Sequence, residues 1–167
     1  MSEAEAGGDI GARDSLVEEF GIHIGRAMGW PPLAGRAAGL LMMSDEPLTL
    51  TQLQSALEAS KGSASETTRL LIANGTVERY KAPGQRHFVY RWRDDAWVGC
   101  LQHVVDSMTQ LRDLAERAQG QAAAVPQVQR ERLGDMREYY GFMVHSLESL
   151  LAEYVRTQEA RPRGPVA

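Results

Sequence analysis

The spacing of apolar positions changes twice along this chain. From residue 15 to about residue 73 they fall three and four apart, as one face of a helix requires; from 77 to 92 they alternate with polar residues, the period of a strand; after 94 the helical spacing returns. Ser15-x-x-Glu18 is a capping box ahead of Leu16, Val17, Phe20, Ile24, Ala27 and Met28, and predicts a first helix starting at Ser15 and ending near Gly29. Gly21, Gly25 and Gly29 lie four apart and leave a shallow strip, open to ordinary close packing or to a subunit contact. Pro31 and Pro32 suit the first turn of a second helix with Leu33, Ala37, Leu40 and Leu41 inward, which Ser44-Asp45-Glu46-Pro47 breaks. Thr49-x-x-Gln52 opens a short helix with Leu50, Leu53, Ala56 and Leu57 inward, and Glu58-Ala59 leaves room only for a sharp corner. Ser60 caps the next helix, whose inner face is Ala64, Thr68 and Leu71 and whose outer face carries Lys61, Ser63, Ser65, Glu66 and Arg69; Asn74-Gly75 ends it. Segments 77–81 and 86–92 then read as an antiparallel hairpin around Pro83-Gly84, with Phe88, Tyr90 and Trp92 on the face that packs on the helices.

Two longer seams follow. Leu101, Val104, Met108, Leu111, Ala115 and Ala118 form one, and Leu133, Met136, Tyr140, Met143, Leu147, Leu150 and Tyr154 the other, with a break over 120–126. A helix over 126–158 would be ~50 Å long at ~1.5 Å per residue. That exceeds what the small domain before it can cover, so the helix is expected to pack both on its predecessor and on its copy in a second subunit. The expected organisation is a frayed N-terminus over 1–12, a packing and dimerisation helix over 13–30, a winged helix-turn-helix over 31–93, long dimerisation helices over 94–158 and a frayed tail over 159–167. The fold class is mainly α with a small β-hairpin. Candidate dimerisation residues are Leu16, Phe20 and Ile24 from the first helix and Met136, Tyr140, Met143, Leu147, Leu150 and Tyr154 from the last.

Charge changes the picture. The 167-residue chain, 43% hydrophobic, carries a formal net charge of −4, which taken as an average argues weakly against nucleic acid. The average conceals a local excess: between residues 60 and 93 seven Lys/Arg face two Glu, a net of +5, which leaves −9 on the remainder. Only a surface that meets phosphates needs to be positive, so this asymmetry is the footprint of a DNA-binding module on an otherwise acidic protein. Lys61 and the helix start offer charge and free amides to a phosphate. Ser63 and Ser65 are short donors that let the backbone approach a groove, Arg69 is long enough for a guanine edge, and Arg86 is placed to enter a narrow minor groove.

Other chemistry finds little support. One cysteine, Cys100, excludes an internal disulfide framework and a multi-cysteine metal site, and it reads as a small buried residue before it reads as a thiol switch. His23, His87, His103 and His145 are dispersed; Glu19 with His23 is a helix-surface pair before it is a zinc site. No nucleophile-base set, phosphate loop or paired-carboxylate cleft assembles, so no enzyme, cofactor or metal is expected. Trp30, Trp92, Trp97, Tyr139, Tyr140 and Met143 are candidates for an effector pocket between the hairpin and the long helices, where aromatic rings would hold a cationic ligand. No apolar run reaches the ~18 residues of a membrane span and the first residues lack a leader pattern, so a cytoplasmic protein is expected.

Leu48-Thr49-Leu50-Thr51-Gln52-Leu53, Ser60-Lys61-Gly62-Ser63-Ala64-Ser65, Arg69-Leu70-Leu71 and Pro83-Gly84-Gln85-Arg86 together resemble the MarR-type winged-helix regulators, with the GbsR-like branch closest through its Ser-Lys-Gly-Ser helix start. The resemblance implies a homodimer joined by helices from both chain ends, a recognition helix in the major groove, a hairpin wing near the minor groove, and a repressor that a small ligand releases. The DNA-binding set it supports is Thr49, Ser60, Lys61, Gly62, Ser63, Ser65, Glu66 and Arg69 on the helices, with Lys81, Gln85, Arg86 and His87 on the wing. Glu66 departs from the usual small polar residue, and the wing tip is less basic than in many members, so moderate affinity is expected. The rival reading is a protein-interaction module whose winged helix no longer binds DNA.

Overall fold

The computed structural model describes residues 3–84 and 86–161. Along the chain run α1 (Glu3–Met28), α2 (Pro32–Met42), β1 (Leu48–Thr49), α3 (Leu50–Leu57), α4 (Lys61–Ala73), β2 (Val77–Tyr80), β3 (Val89–Trp92), α5 (Ala96–Gln121), a 3-10 turn (Ala122–Ala124) and α6 (Gln127–Glu159). They divide into two compact units, Met1–Ala96 and Trp97–Ala167. Among the described residues no helix is long and apolar enough to cross a membrane.

The first helix corrects the expectation at its start. It begins at Glu3, not Ser15, so most of the segment expected to fray is helical and the Ser15-Glu18 capping box goes unused. No apolar stripe announces these turns: Ala4, Ala6, Ala12, Glu3 and Glu5 favour a helix there, while Gly7, Gly8 and Gly11 oppose it. Of the tail expected to fray over 159–167, everything beyond Arg161 lies outside the described residues.

Glycines decide how α1 meets α2. A Cβ added at Gly35 would stand 2.7 Å from the Phe20 carbonyl oxygen and 2.9 Å from Gly21 Cα, and one at Gly39 would stand 2.7 Å from the Phe20 ring. The glycine strip of α1 is therefore filled inside the chain, by α2. A side chain at Gly21 would collide with the Arg36 stem. Arg36 uses that slot to span three elements: its Nε sits 2.7 Å from Glu18 Oε1 of α1, and its Nη1 donates to the Leu57 carbonyl at the end of α3 at 3.4 Å. The Glu18 contact is a charge contact rather than an aligned hydrogen bond, since the buried Nε–H has no acceptor along its own direction.

The rest of the first unit closes around Ala37, Ala38 and Leu41 of α2, Leu53 and Leu57 of α3, Leu71 of α4, Val77 of β2 and Tyr90 of β3, with Trp30, Leu33 and Trp92 packed against them. Two turns frame α4. Glu58 takes the left-handed conformation (φ 51) at the end of α3, and Gly75 (φ 71) follows α4, where buried Thr76 returns its hydroxyl to the Leu71 carbonyl at 3.1 Å. The sheet has three strands in the order β1-β3-β2, not the hairpin alone. The third strand is the two-residue β1, whose Leu48 and Thr49 pair with Tyr90 and Val89 and staple the start of α3 to the hairpin.

In the second unit α5 and α6 run antiparallel. Gln119 Nε2 stands 3.7 Å from the Cβ position of Gly134, while Arg112, held charged chiefly by its hydrogen bond to Asp113, also feels Glu148 of α6. Val105 and Ala115 of α5 and Val144 of α6 are buried.

Candidate nucleic-acid interface

The start of α4 is built as expected. Ser60 Oγ accepts from the Ser63 amide at 3.1 Å and lies 2.9 Å from Ser63 Oγ, so both hydroxyls are engaged in holding the helix start. Ala64, Thr67, Thr68 and Leu71 are buried, and Lys61, Gly62, Ser63, Glu66 and Arg69 are exposed, with Ser65 half-buried. Arg69 lies along its own helix, its Nε donating to the Ser65 carbonyl at 3.3 Å. Thr49 forms the capping box of α3: its hydroxyl accepts from the Gln52 amide at 3.2 Å and donates to Gln52 Oε1 at 2.8 Å.

The hairpin differs in extent. Its strands stop at Tyr80 and start again at Val89, so Lys81, Arg86, His87 and Phe88 belong to the connecting loop, in which Pro83 precedes a left-handed Gly84 (φ 78). Gln85 lies outside the described residues. Phe88 corrects the expected packing, being 42% exposed while Tyr90 is buried and Trp92 half-buried. The face is the predicted one, but there the ring lines an open cleft with Thr51, Gln54 and Lys61 and does not join the core. Arg79 stacks on it, with the guanidinium carbon 4.2 Å from the ring centroid, and Lys81 Nζ lies 5.2 Å away.

Ion pairing sorts the basic residues of this region. On the other face of the sheet Arg91 hydrogen-bonds across the strands to Glu78, and Arg93 forms a two-point pair with Asp95 at 2.8 Å. Both arginines are raised in pKa, chiefly by those hydrogen bonds, and Asp95 is lowered by Arg93. Neutralised there, they add little to an external field. Lys61, Arg69, Arg79, Lys81 and Arg86 are left exposed, with Glu66 among them. A cleft of about 420 Å³ lies beside Lys61, walled by Thr49, by Thr51 and Gln54 of α3, by Lys61 of α4 and by His87 and Phe88 of the loop, with Leu50 and Tyr90 also lining it.

Comparison with known proteins decides the family. The HTH-type transcriptional regulator MmpR5 of Mycobacterium tuberculosis is 34% identical over 161 residues, covering 92% of this chain and 95% of the relative. The chain belongs to the MarR family of transcriptional regulators. The profile of MmpR5-like MarR family transcriptional regulators matches residues 95–158. The HTH-type transcriptional repressor OpcR of Bacillus subtilis is 29% identical over 50% of this chain and 45% of its own. A crystal structure of a transcriptional regulator superposes with a TM-score of 0.78 at 29% identity, covering 87% of this chain and 99% of the other. These relatives are DNA-binding regulators and not enzymes.

The remaining candidate residues of this MarR-family regulator separate by unit. Trp30 and Trp92 pack on the core of the first, while Trp97, Tyr139, Tyr140 and Met143 belong to the second, where the Tyr139 and Tyr140 rings meet edge to face at 5.1 Å. Phe20 packs on Gly39 within the chain, Ile24 is half-buried and Leu16 is exposed. On α6 the predicted dimer seam is half-buried at Met136, Tyr140, Met143, Leu147 and Tyr154; Tyr139, Phe142 and Leu150 are 57%, 69% and 52% exposed. At about 100° per residue Val128, Tyr139 and Phe142 share one strip with Leu150, the exposed member of the predicted seam, and the rest of that seam lies roughly a quarter-turn away. Two features escaped the sequence reading. Arg79 is one, although its spacing of two from Lys81 places both on one strand face; the exposed α6 strip is the other, hidden by the stronger heptad beside it. Glu19 and His23 gather no third ligand, as no group of three His, Cys, Asp or Glu that could hold a metal occurs among the described residues.

Proposed function

We propose that this regulator is a cytoplasmic homodimer that represses transcription by binding an imperfect palindrome, and that a small molecule releases it. The observation that carries this reading is the sorting of charge. Within residues 60–93, the basic residues that stand exposed outside the Glu78 and Asp95 ion pairs lie on α4, on β2 and in the loop that follows it, where a recognition helix and a wing meet DNA. Lys61 and the α4 start face phosphate, Arg69 swings from the Ser65 carbonyl toward a base edge, and Arg86 takes the minor groove. Thr49, Ser60, Gly62, Ser63, Ser65, Gln85 and His87 complete the contact surface. Placement in the GbsR-like branch rests on Ser60-Lys61-Gly62-Ser63, and the repressing sign is supported by the likeness to OpcR. The effector site is proposed among the candidates of the second unit, Trp97, Tyr139, Tyr140 and Met143, since Trp30 and Trp92 pack on the core of the first.

The dimer contact is proposed along the exposed strip of α6. The half-buried positions of the original seam flank it. Exposed aromatic surface of this kind is costly to leave in water and marks an interaction face.

Glu66, exposed between Ser63 and Arg69, favours the rival reading of a protein-interaction module. Selection of genomic fragments by the purified protein separates the two. An enriched palindrome with half-sites about one helical turn (~34 Å) apart supports the regulator. No enrichment at low salt supports the rival. Replacing Arg69 and Arg86 by Ala should abolish retention of the enriched fragment while leaving the oligomer unchanged.

A further inference from the structure

We propose that Phe88 is the positioning residue of the wing: its exposed ring holds Arg79 and Lys81 on the helix side of the hairpin, where both cations meet the phosphate backbone. The inference rests on the DNA-binding reading and adds to it a residue that touches no nucleic acid base. The strand register carries the argument. Arg79 pairs with Tyr90, and Tyr80 with Val89, so continuing the ladder sets Lys81 opposite Phe88. Arg79, Lys81 and Phe88 therefore share the face that, one pair further in, packs Tyr90 and Val77 against the helices. Beyond Tyr90 that face opens on the cleft that Phe88 lines together with Lys61. Glu78 and Arg91 occupy the opposite face and cancel each other.

A large apolar ring left 42% exposed beside a loop needs a reason. It contributes nothing to the core. What it does contribute is a surface for two cations, at 4.2 Å and 5.2 Å from its centroid. Among the described residues neither cation meets a carboxylate. A long basic side chain loses rotamer freedom when it docks on phosphate, and stacking fixes much of that freedom before DNA arrives. An aromatic face does this without neutralising the charge, which a carboxylate partner would.

The experiment compares wild type with Phe88→Leu, Phe88→Tyr, Arg79→Ala/Lys81→Ala and Phe88→Leu combined with that pair. Each is titrated by fluorescence anisotropy against the selected fragment and a random-sequence duplex over a series of KCl concentrations. Phe88→Leu should weaken binding to both duplexes about three- to ten-fold and flatten the salt slope by about one, with an unchanged thermal midpoint. Phe88→Tyr should restore wild-type behaviour, and Phe88→Leu should add nothing once Arg79 and Lys81 are gone. In the free protein, the Arg79 δ- and Lys81 ε-methylene resonances should be shifted upfield by the ring and return to ordinary positions in Phe88→Leu. Wild-type affinity in Phe88→Leu, or a loss additive with the double alanine variant, overturns the inference and leaves the DNA reading standing. Absence of wild-type binding to either duplex at low salt overturns both.

Discussion

Glu58 occupies a backbone conformation that its side chain disfavours. With φ at 51 it closes α3 in the left-handed region, where a Cβ crowds the following carbonyl and glycine or asparagine is at ease. Glu58→Gly should raise the unfolding free energy by about 0.5–1 kcal/mol, read from the urea midpoint at constant slope. Destabilisation would mean that the corner depends on the Glu58 side chain. Cys100 poses a different question at the same scale. Half-buried on α5, its thiol is pushed up by burial, away from the thiolate that alkylation and oxidation require. The thiolate gains only as pH rises through the raised value, so iodoacetamide should label the folded protein more slowly than the urea-unfolded one at the same pH. Its rate should rise with a midpoint above the ordinary 9.0. A midpoint below that value would restore the redox-switch reading.

Elements were legible where two independent signals agreed. α3 and α4 each had a capping residue, an apolar face and a turn residue, and their boundaries followed. α1 had an apolar face only from Leu16 onward, so its polar first turns were invisible to periodicity. β1 was hidden because two residues carry no period, and Thr49 served both strand and cap. The α1–α2 crossing shows what a glycine pattern leaves open. Gly21 and Gly25 admit a close neighbour without naming it, and only the matching Gly35 and Gly39 on α2 show that the neighbour is internal. Gly35→Ala should therefore cost about 1–3 kcal/mol, because the new Cβ meets Phe20 and Gly21 backbone that cannot swing aside. Gly141→Ala, in α6 with nothing within 4 Å, should instead gain up to about 1 kcal/mol from helix propensity. Equilibrium unfolding of the two variants checks both signs, and a neutral Gly35→Ala would mean that α1 shifts freely over α2.

At the scale of the molecule the candidate DNA surface is modest: five exposed cations, one acid among them, and a loop tip with a single arginine at its end. One such surface would bind weakly, and the proposed pairing would supply what it lacks, since a second reader held at fixed spacing binds at a high effective concentration. The pairing surface then has to lie where apolar area remains uncovered, and the α6 strip of Val128, Tyr139, Phe142 and Leu150 is the long one. Phe142, at 69% exposure, contributes almost nothing to the fold of its own chain, so Phe142→Glu should leave the thermal midpoint of the monomeric unit unchanged. It should shift sedimentation from dimer to monomer, because pairing along the strip would bury an unpaired carboxylate from each chain. Binding to the palindrome should fall by about 100-fold or more, while binding to an isolated half-site stays at the wild-type level. A variant that remains dimeric places the interface elsewhere, and a monomer that keeps full operator affinity shows that pairing has no part in recognition.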